Sequence, residues 1–387
     1  MSEKRQTERQ SPEIMRKKRK QKRMRRIAAA VVFIALAVMY VTEFFRIPAA
    51  MLATTIDSAT VLLSGGDGYP VSVPVSNFRR AEAMGASTAF LGARDLVIFS
   101  PSAAEMLRIQ HGYATPAITS NNTHICIYSR GGTELRVESR TRNLFTKTFE
   151  KPILTVTMSN GGYLAVATRS ERYMAQVIVY NAGLEELYTW RSANNTPSIL
   201  SFLGDNKYLA IAYPMVTDGE LGTEITILRS GEEVTKIHKE NSLALQIEYL
   251  GNDRIRVIYN NCTLVYNRST GEELERYFYG GRPLLYASSA ENGATALVFG
   301  DAYQSALNHV VVISEHMEEL VHIQVGLPVA DVLLTRDRVY ILSGTQVLKY
   351  NMQGELLETI QLDSLGQSLI YSKKVLVITI TDILEIK

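Results

Sequence analysis

Six histidines, one acidic stretch and one glycine-rich turn are the places in this 387-residue chain where metal or catalytic chemistry would have to begin. His111, His124, His238, His309, His316 and His322 form no H-x-H or H-E-x-x-H pattern, and the last three flank a single hairpin. A zinc site needs several ligands at close, defined geometry, so these histidines read as solvated or capping side chains and no metal is expected. No G-x-S-x-G elbow and no Walker-type loop occurs. GGDGYP at 65–70 would cradle a phosphate only with a strand before it and a helix after it. The surrounding pattern is the reverse, so it reads as a turn. TDGELGTE at 217–224 offers oxygen ligands, but without the spacing of an EF-hand loop, and reads as a solvated loop. Cys126 and Cys262 lie far apart in separate β-like runs, which predicts two buried thiols rather than a disulfide. Sequons such as Asn121-Asn122-Thr123 and Asn194-Asn195-Thr196 would matter only in a glycosylating host.

With so little catalytic vocabulary, the informative signal is repetition. LVYNRSTGEELERY at 264–277 has relatives in VIVYNAGLEELYTW from Val177, ITILRSGEEVTKI from Ile225, VVVISEHMEELVHI from Val310 and VLKYNMQGELLETI from Val347. Each reads as a strand, a turn and a strand, and another pair of β-like runs precedes it. In residues 153–190 the set is ILTVTM, YLAVAT, QVIVYN and EELYTW, four alternating or β-branched runs joined by short loops. The third run of each unit begins near Leu96, Glu134, Val177, Ile225, Cys262, His309, Gln346 and Ile383, at intervals of 36 to 48 residues. That period is the period of a β-propeller blade. The last unit stops one strand short, while YPVSVPV at 69–75 has no unit of its own. It is expected to supply the outermost strand of the final blade, where Pro70 and Pro74 are tolerated on a free edge. The expected fold is therefore all-β, an eight-bladed propeller closed by an N-terminal strand and spanning 69–387. The first unit is the least regular, so seven blades is the alternative count.

The loops between second and third runs are short except in three units: RSERYMA (169–175), PMVTDGELGTE (214–224) and GDAYQSALN (300–308). In a propeller these links emerge on one face, and insertions into a repeat collect where binding occurs. Arg169, Arg172, Tyr173, Met174, Asp218, Glu220 and Tyr303 are the candidate contact residues, with Tyr and Arg the usual interface anchors. An enzyme, such as a hydrolase or lyase acting at the axial channel, is the alternative. It would need carboxylates or histidines on the innermost strands, and PAITS, ILTVTM, SILSFL, ALQIEY, LLYASS and ADVLLT offer only Glu248 and Asp331.

The N-terminus has a different character. Residues 1–26 hold 12 Lys/Arg against Glu3, Glu8 and Glu13, a balance of +9, so the remaining chain carries 2 − 9 = −7. The apolar run IAAAVVFIALAVMYVTEFF follows at 27–45, long enough at ~1.5 Å per helical residue to cross nearly ~30 Å of hydrocarbon. It is expected to be a retained transmembrane helix rather than a cleaved signal, with residues 1–26 cytoplasmic and all beyond it extracytoplasmic. The basic cluster suits anionic lipid, not nucleic acid. Residues 46–68 read as a stalk containing a short helix.

A basic tail, one membrane helix and a propeller built from these hairpins together resemble an uncharacterised family of Gram-positive bacterial envelope proteins. The layout is also similar to WD40-like and quinoprotein-like propellers. The resemblance carries no known activity across; the layout and the loops lead to the expectation of a membrane-anchored, non-catalytic binding or scaffold module of the cell envelope, with an envelope protein or glycan as partner. The resemblance implies no cofactor, because quinoprotein blades repeat a docking tryptophan and Trp190 is the only one in this chain.

Overall fold

The structure, a computed structural model, describes residues 60–61, 64–204, 206–300 and 308–386. The basic tail, the apolar run at 27–45, most of the 46–68 stalk, and Tyr303 with its loop lie outside the described residues. Among the described residues no helix is long and apolar enough to cross a membrane.

Eight four-stranded antiparallel sheets form eight blades. Strands are called a to d from the axis outward. The a strands are Arg80–Met84, Pro116–Ser120, Ile153–Met158, Ile199–Leu203, Ala244–Gly251, Leu284–Ser289, Asp331–Leu334 and Gly366–Tyr371. Alternate residues of a strand face opposite neighbours. In blade 3, Ile178 and Tyr180 pack toward blade 2, whereas Val177 and Val179 pack toward blade 4. Eight apolar clusters result, each shared by two adjacent blades. An open stack of eight sheets has only seven interfaces, so the eighth cluster, between blades 8 and 1, is the evidence that the ring closes.

The latch is the predicted one, but shorter. Val71 and Ser72 pair with Ile383 and Asp382 of the last strand, and the Val73 N–H donates to the Thr381 carbonyl at 2.8 Å. Pro70 and Pro74 flank this pairing and have no amide hydrogen to extend it. The apolar side chains of the segment still matter, because Tyr69, Val71, Val73 and Val75 join Phe90, Phe99, Ile378 and Ile383 in the closing cluster.

The recurring hairpin now has a structural meaning. Between strands c and d the register shifts once in each of blades 1 to 7. The residue skipped by the ladder is Met106, Leu144, Leu187, Val234, Leu274, Leu320 or Leu357, always apolar. A bulge adds local twist, and the EEL-like motif is the sequence image of that bulge.

The c strands begin within two residues of expectation, except in blade 4, where strand c starts at Glu220 instead of near Ile225. The stretch 214–224 is not a loop. Strands b (Tyr208–Thr217) and c (Glu220–Arg229) run on as a projecting two-stranded arm that turns at Asp218-Gly219. Both turn residues have positive φ, 51° and 86°, the conformation that an Asp-Gly hairpin turn requires.

Polar ties stitch the inner ring. Ser120 donates to Glu82, Asn121 to the Ser159 carbonyl, Ser201 to the Ile247 carbonyl, and Thr88 to Ser372. The strongest tie is Arg256, 1% exposed on strand b of blade 5. Its guanidinium donates to Glu248 through Nε at 2.9 Å and again through Nη2, and reaches blade 6 at the Gly293 carbonyl (2.5 Å) and Ser289 Oγ (3.1 Å). Removing one partner of such a pair strands a buried charge. Arg256→Ala is expected to lower the unfolding free energy by about 3–5 kcal/mol, and Glu248→Gln with Arg256→Met to recover most of it. Urea unfolding checks this, and an R256A protein as stable as wild type refutes the role.

Candidate binding face

Because the a strands start at the d–a links, those links and the b–c loops emerge together at one end of the ring. This end is called the loop face. The opposite end carries the a–b and c–d turns. Exposed large apolar side chains occur at both ends. Tyr173, Met174, Val216, Leu221, Leu245, Phe278, Leu327, Leu365 and Ile380 all lie at the loop face, with Val216 67% and Phe278 57% exposed. At the other end, Leu187, Val234, Leu274, Leu320, Leu356 and Leu357 lie within the first three residues of d strands, next to the c–d turns, and Tyr371 ends strand a of blade 8.

The b–c loop of blade 3 folds over a groove between blades 2 and 3, with a volume of about 600 Å³. Its walls are the outer strand of blade 2 and its following link (Lys147 to Lys151) and Thr168, Ser170 to Tyr173, Gln176, Ile178 and Arg191 of blade 3. The loop is pinned at both ends. Arg169 N–H donates to the Pro152 carbonyl, and Met174 N–H to the Ser192 carbonyl, each at 3.0 Å. Lys147 Nζ donates to the Tyr180 hydroxyl at 2.7 Å and lies 5.3 Å from the Phe149 ring centre. Burial raises the Tyr180 phenol above its ordinary value, and this lysine pulls it partly back. At the rim, Lys151 and Glu171 pair at 2.8 Å, each favouring the other's charged form. Arg172 and Arg191 pair with no carboxylate among the described residues, and the Arg191 guanidinium lies 6.0 Å from the Tyr173 ring centre. The Thr168 hydroxyl on the groove wall is buried without a hydrogen-bond partner. Two uncommitted guanidiniums beside an exposed tyrosine suit a carboxylate-bearing ligand, since arginine binds carboxylates in a bidentate fork.

Of the residues singled out from sequence, Arg172 and Tyr173 line this groove. Met174, 53% exposed, and Arg169 flank it. Asp218 sits at the tip of the blade 4 arm, and Glu220 accepts from Asn241 Nδ2 at 2.6 Å; neither lines the groove. Lys147 and Arg191 were missed, because they lie on outer strands where only the folded ring reveals a neighbour.

The innermost strands carry three acids, one more than the strands quoted from sequence showed, since Glu82 belongs to blade 1. Each is engaged sideways. Glu82 accepts from Ser120 Oγ at 2.9 Å, Glu248 holds Arg256, and Asp331 accepts from Ser368 Oγ (2.9 Å) and the Leu369 N–H (2.8 Å) of blade 8. Among the described residues no three or more His, Cys, Asp or Glu side chains gather to hold a metal. Both cysteines are free and buried, and burial pushes the Cys126 thiol well up. Asn121, the first sequon residue, is also buried, with its amide committed to Ser159 and its oxygen accepting from Thr123 and His124 N–H groups.

Comparison with known proteins follows the geometry. Residues 94–387 match a family of unknown function, DUF5711. The chain belongs to that family. No curated protein matches it. Among solved structures, this DUF5711 propeller is similar to BamB from Moraxella catarrhalis, with TM-score 0.55 and 10% identity over 83% of this chain and 99% of that one. It is also similar to the C-terminal WD40 domain of Sif2 (TM-score 0.61, 13% identity, 84% and 100% covered). A eukaryotic initiation factor gives TM-score 0.54 and 11% identity over 82% and 84%. At these identities the likeness establishes the β-propeller fold.

Asp331 gives the DUF5711 propeller a pH signature. Burial raises its carboxyl above the ordinary value, outweighing its three hydrogen-bond donors. The folded state therefore holds this proton more tightly than the unfolded state, so the group costs stability as pH rises through the window between the two values. The stability of wild type relative to Asp331→Asn is expected to improve as pH falls through the acid range. Urea midpoints of the two proteins from pH 7 down to 4 test this; a constant difference would contradict it.

Proposed function

We propose that this DUF5711 protein is a membrane-anchored, extracytoplasmic and non-catalytic binding module of the cell envelope. It docks a protein partner through the loop face, and the groove between blades 2 and 3 accepts a carboxylate-rich segment of that partner. The observation carrying this reading is the groove between blades 2 and 3 at the loop face, where Arg172 and Arg191, with no carboxylate partner among the described residues, stand beside the exposed Tyr173 and Met174. Interfaces combine apolar anchors with arginine and tyrosine, and the arm at Val216–Leu221 lengthens the surface available. The propeller fold is consistent with a scaffold. Anchoring is supported by the uncharged run preceding Glu43 and by the nine basic residues in 16–26, which favour a cytoplasmic N-terminus. The axial acids, each tied to a partner, favour binding over channel chemistry.

Two measurements test the two halves of the proposal. Asp218→Cys places a thiol at the arm tip in a protein whose two native thiols are buried. A membrane-impermeant maleimide added to intact cells is expected to label it and to spare wild type, whereas labelling only after lysis would reverse the topology. Photo-crosslinkers at Met174 and Val216 are expected to capture one common protein that a crosslinker at Tyr371 does not. Arg172→Glu with Arg191→Glu should reduce that capture at least tenfold. Equal capture from both ends of the ring would overturn the choice of face.

A further inference from the structure

The outer hairpin of blade 6 places two histidines on one side of its sheet. Strand c (Asn308–Ile313) and strand d (Glu319–Val325) pair His309 with Gln324 and Val311 with His322. His309 and His322 are therefore diagonal neighbours across the ladder. His309 Nδ1 and His322 Nε2 are 2.9 Å apart. Two ring nitrogens this close share a single proton, so at least one of them presents a lone pair to the other. Behind His322, Glu319 Oε1 lies 3.5 Å from Nδ1, and the other Glu319 oxygen accepts from the Tyr277 hydroxyl of blade 5 at 3.0 Å. A carboxylate behind a histidine fixes its tautomer and ring orientation and raises its basicity, the arrangement that accompanies metal-ligating histidines.

We propose that His309 and His322 form a surface site for a divalent transition metal of the Cu(II) or Ni(II) type. His309 ligates through Nδ1 and His322 through Nε2, Glu319 orients His322, and water completes the coordination. The two rings face each other along the N–N line, with centroids 5.2 Å apart, so metal uptake requires both side chains to turn until their lone pairs converge on the ion. Two cis imidazole nitrogens with water in the remaining positions suit tetragonal Cu(II) and Ni(II). Binding moves the proton now shared between the rings to the non-ligating nitrogen of its own ring, so that both ligands remain neutral imidazoles. Burial, then His322 and Arg282, lower the affinity of His309 for a second proton, which keeps it available as a ligand. Arg282 is also the cation that the bound metal must tolerate.

The test uses the untagged full-length protein in detergent, titrated with Cu(II) against a glycine competitor and followed by calorimetry and electron paramagnetic resonance. Wild type is expected to take up one high-affinity equivalent with two nitrogen ligands in the equatorial plane. His309→Ala and His322→Ala should each weaken binding at least ~10-fold, with His238→Ala unchanged. Glu319→Gln should weaken it by about 10-fold while keeping two-nitrogen coordination, as expected for loss of an orienting carboxylate. All variants alter exposed or half-buried side chains, and circular dichroism checks that the fold is kept. A double variant, His309→Ala with His322→Ala, that binds Cu(II) like wild type would overturn the site. So would a wild-type spectrum with fewer than two nitrogen ligands.

Discussion

A four-stranded sheet with two apolar faces has nowhere to hide both of them alone. Everything in this molecule follows from the way it meets that constraint. Strands such as Leu164–Thr168 and Val375–Thr379 are buried at every residue, which is affordable only when a second sheet covers each side. Stacking sheets solves the problem for the interior blades and leaves it open at the two ends; closure into a ring removes the ends. The latch is thus small in hydrogen bonds and large in consequence. Val71 and Ser72 add two paired residues, yet they bring Tyr69, Val73 and Val75 to the only interface that joins the first blade to the last.

Closure also decides where binding can evolve. Side chains on the b and c strands are committed to neighbouring blades, and the innermost strands are held by ties such as Ser201 to Ile247 and Asp331 to Ser368. What remains free is the pair of ends and the outer circumference. The circumference is constrained by the bulge, which recurs with an apolar residue in every continuous blade. At the loop face, by contrast, the blade 3 loop and the blade 4 arm vary without touching the stacked core. Chemical novelty in this chain therefore collects where geometry leaves freedom, not where the repeat is most regular.

Much of this architecture is legible in the sequence because its determinants are local. Period-2 alternation, the four-run unit and the orphan YPVSVPV are read directly; they give the latch and favour eight blades over seven, and the irregular first unit keeps the count open until the eight sheets are seen. The boundaries fail where a loop-like composition hides a strand. Thr217-Asp218-Gly219-Glu220 looks like an acidic loop, although Asp-Gly between alternating residues is a hairpin signal and the structure uses it as one. The site is less legible than the fold. Arg172 and Tyr173 announce themselves in a long loop, but Lys147 and Arg191 become their neighbours only through the packing of blade 3 on blade 2. His309 and His322 read as solvated or capping side chains flanking one hairpin, because residues thirteen positions apart do not announce that they face each other. Counting the register from the hairpin turn would have placed them on one side of the ladder.

That last case shows how a repeat fold makes chemistry without motifs. A metal or catalytic motif on a helix is written at fixed short spacing, so it can be found by eye. On a bulged hairpin, the spacing between facing residues depends on turn length and on the skipped residue, here Leu320. Removing the bulge would pair His322 with Val310, moving it to the other side of the sheet, against blade 7, and separating it from His309. The same bulge that provides twist to the ring therefore fixes which outer-strand side chains can meet. Cross-strand pairs on strands c and d, rather than sequence neighbours, are where further chemistry in this family should be sought.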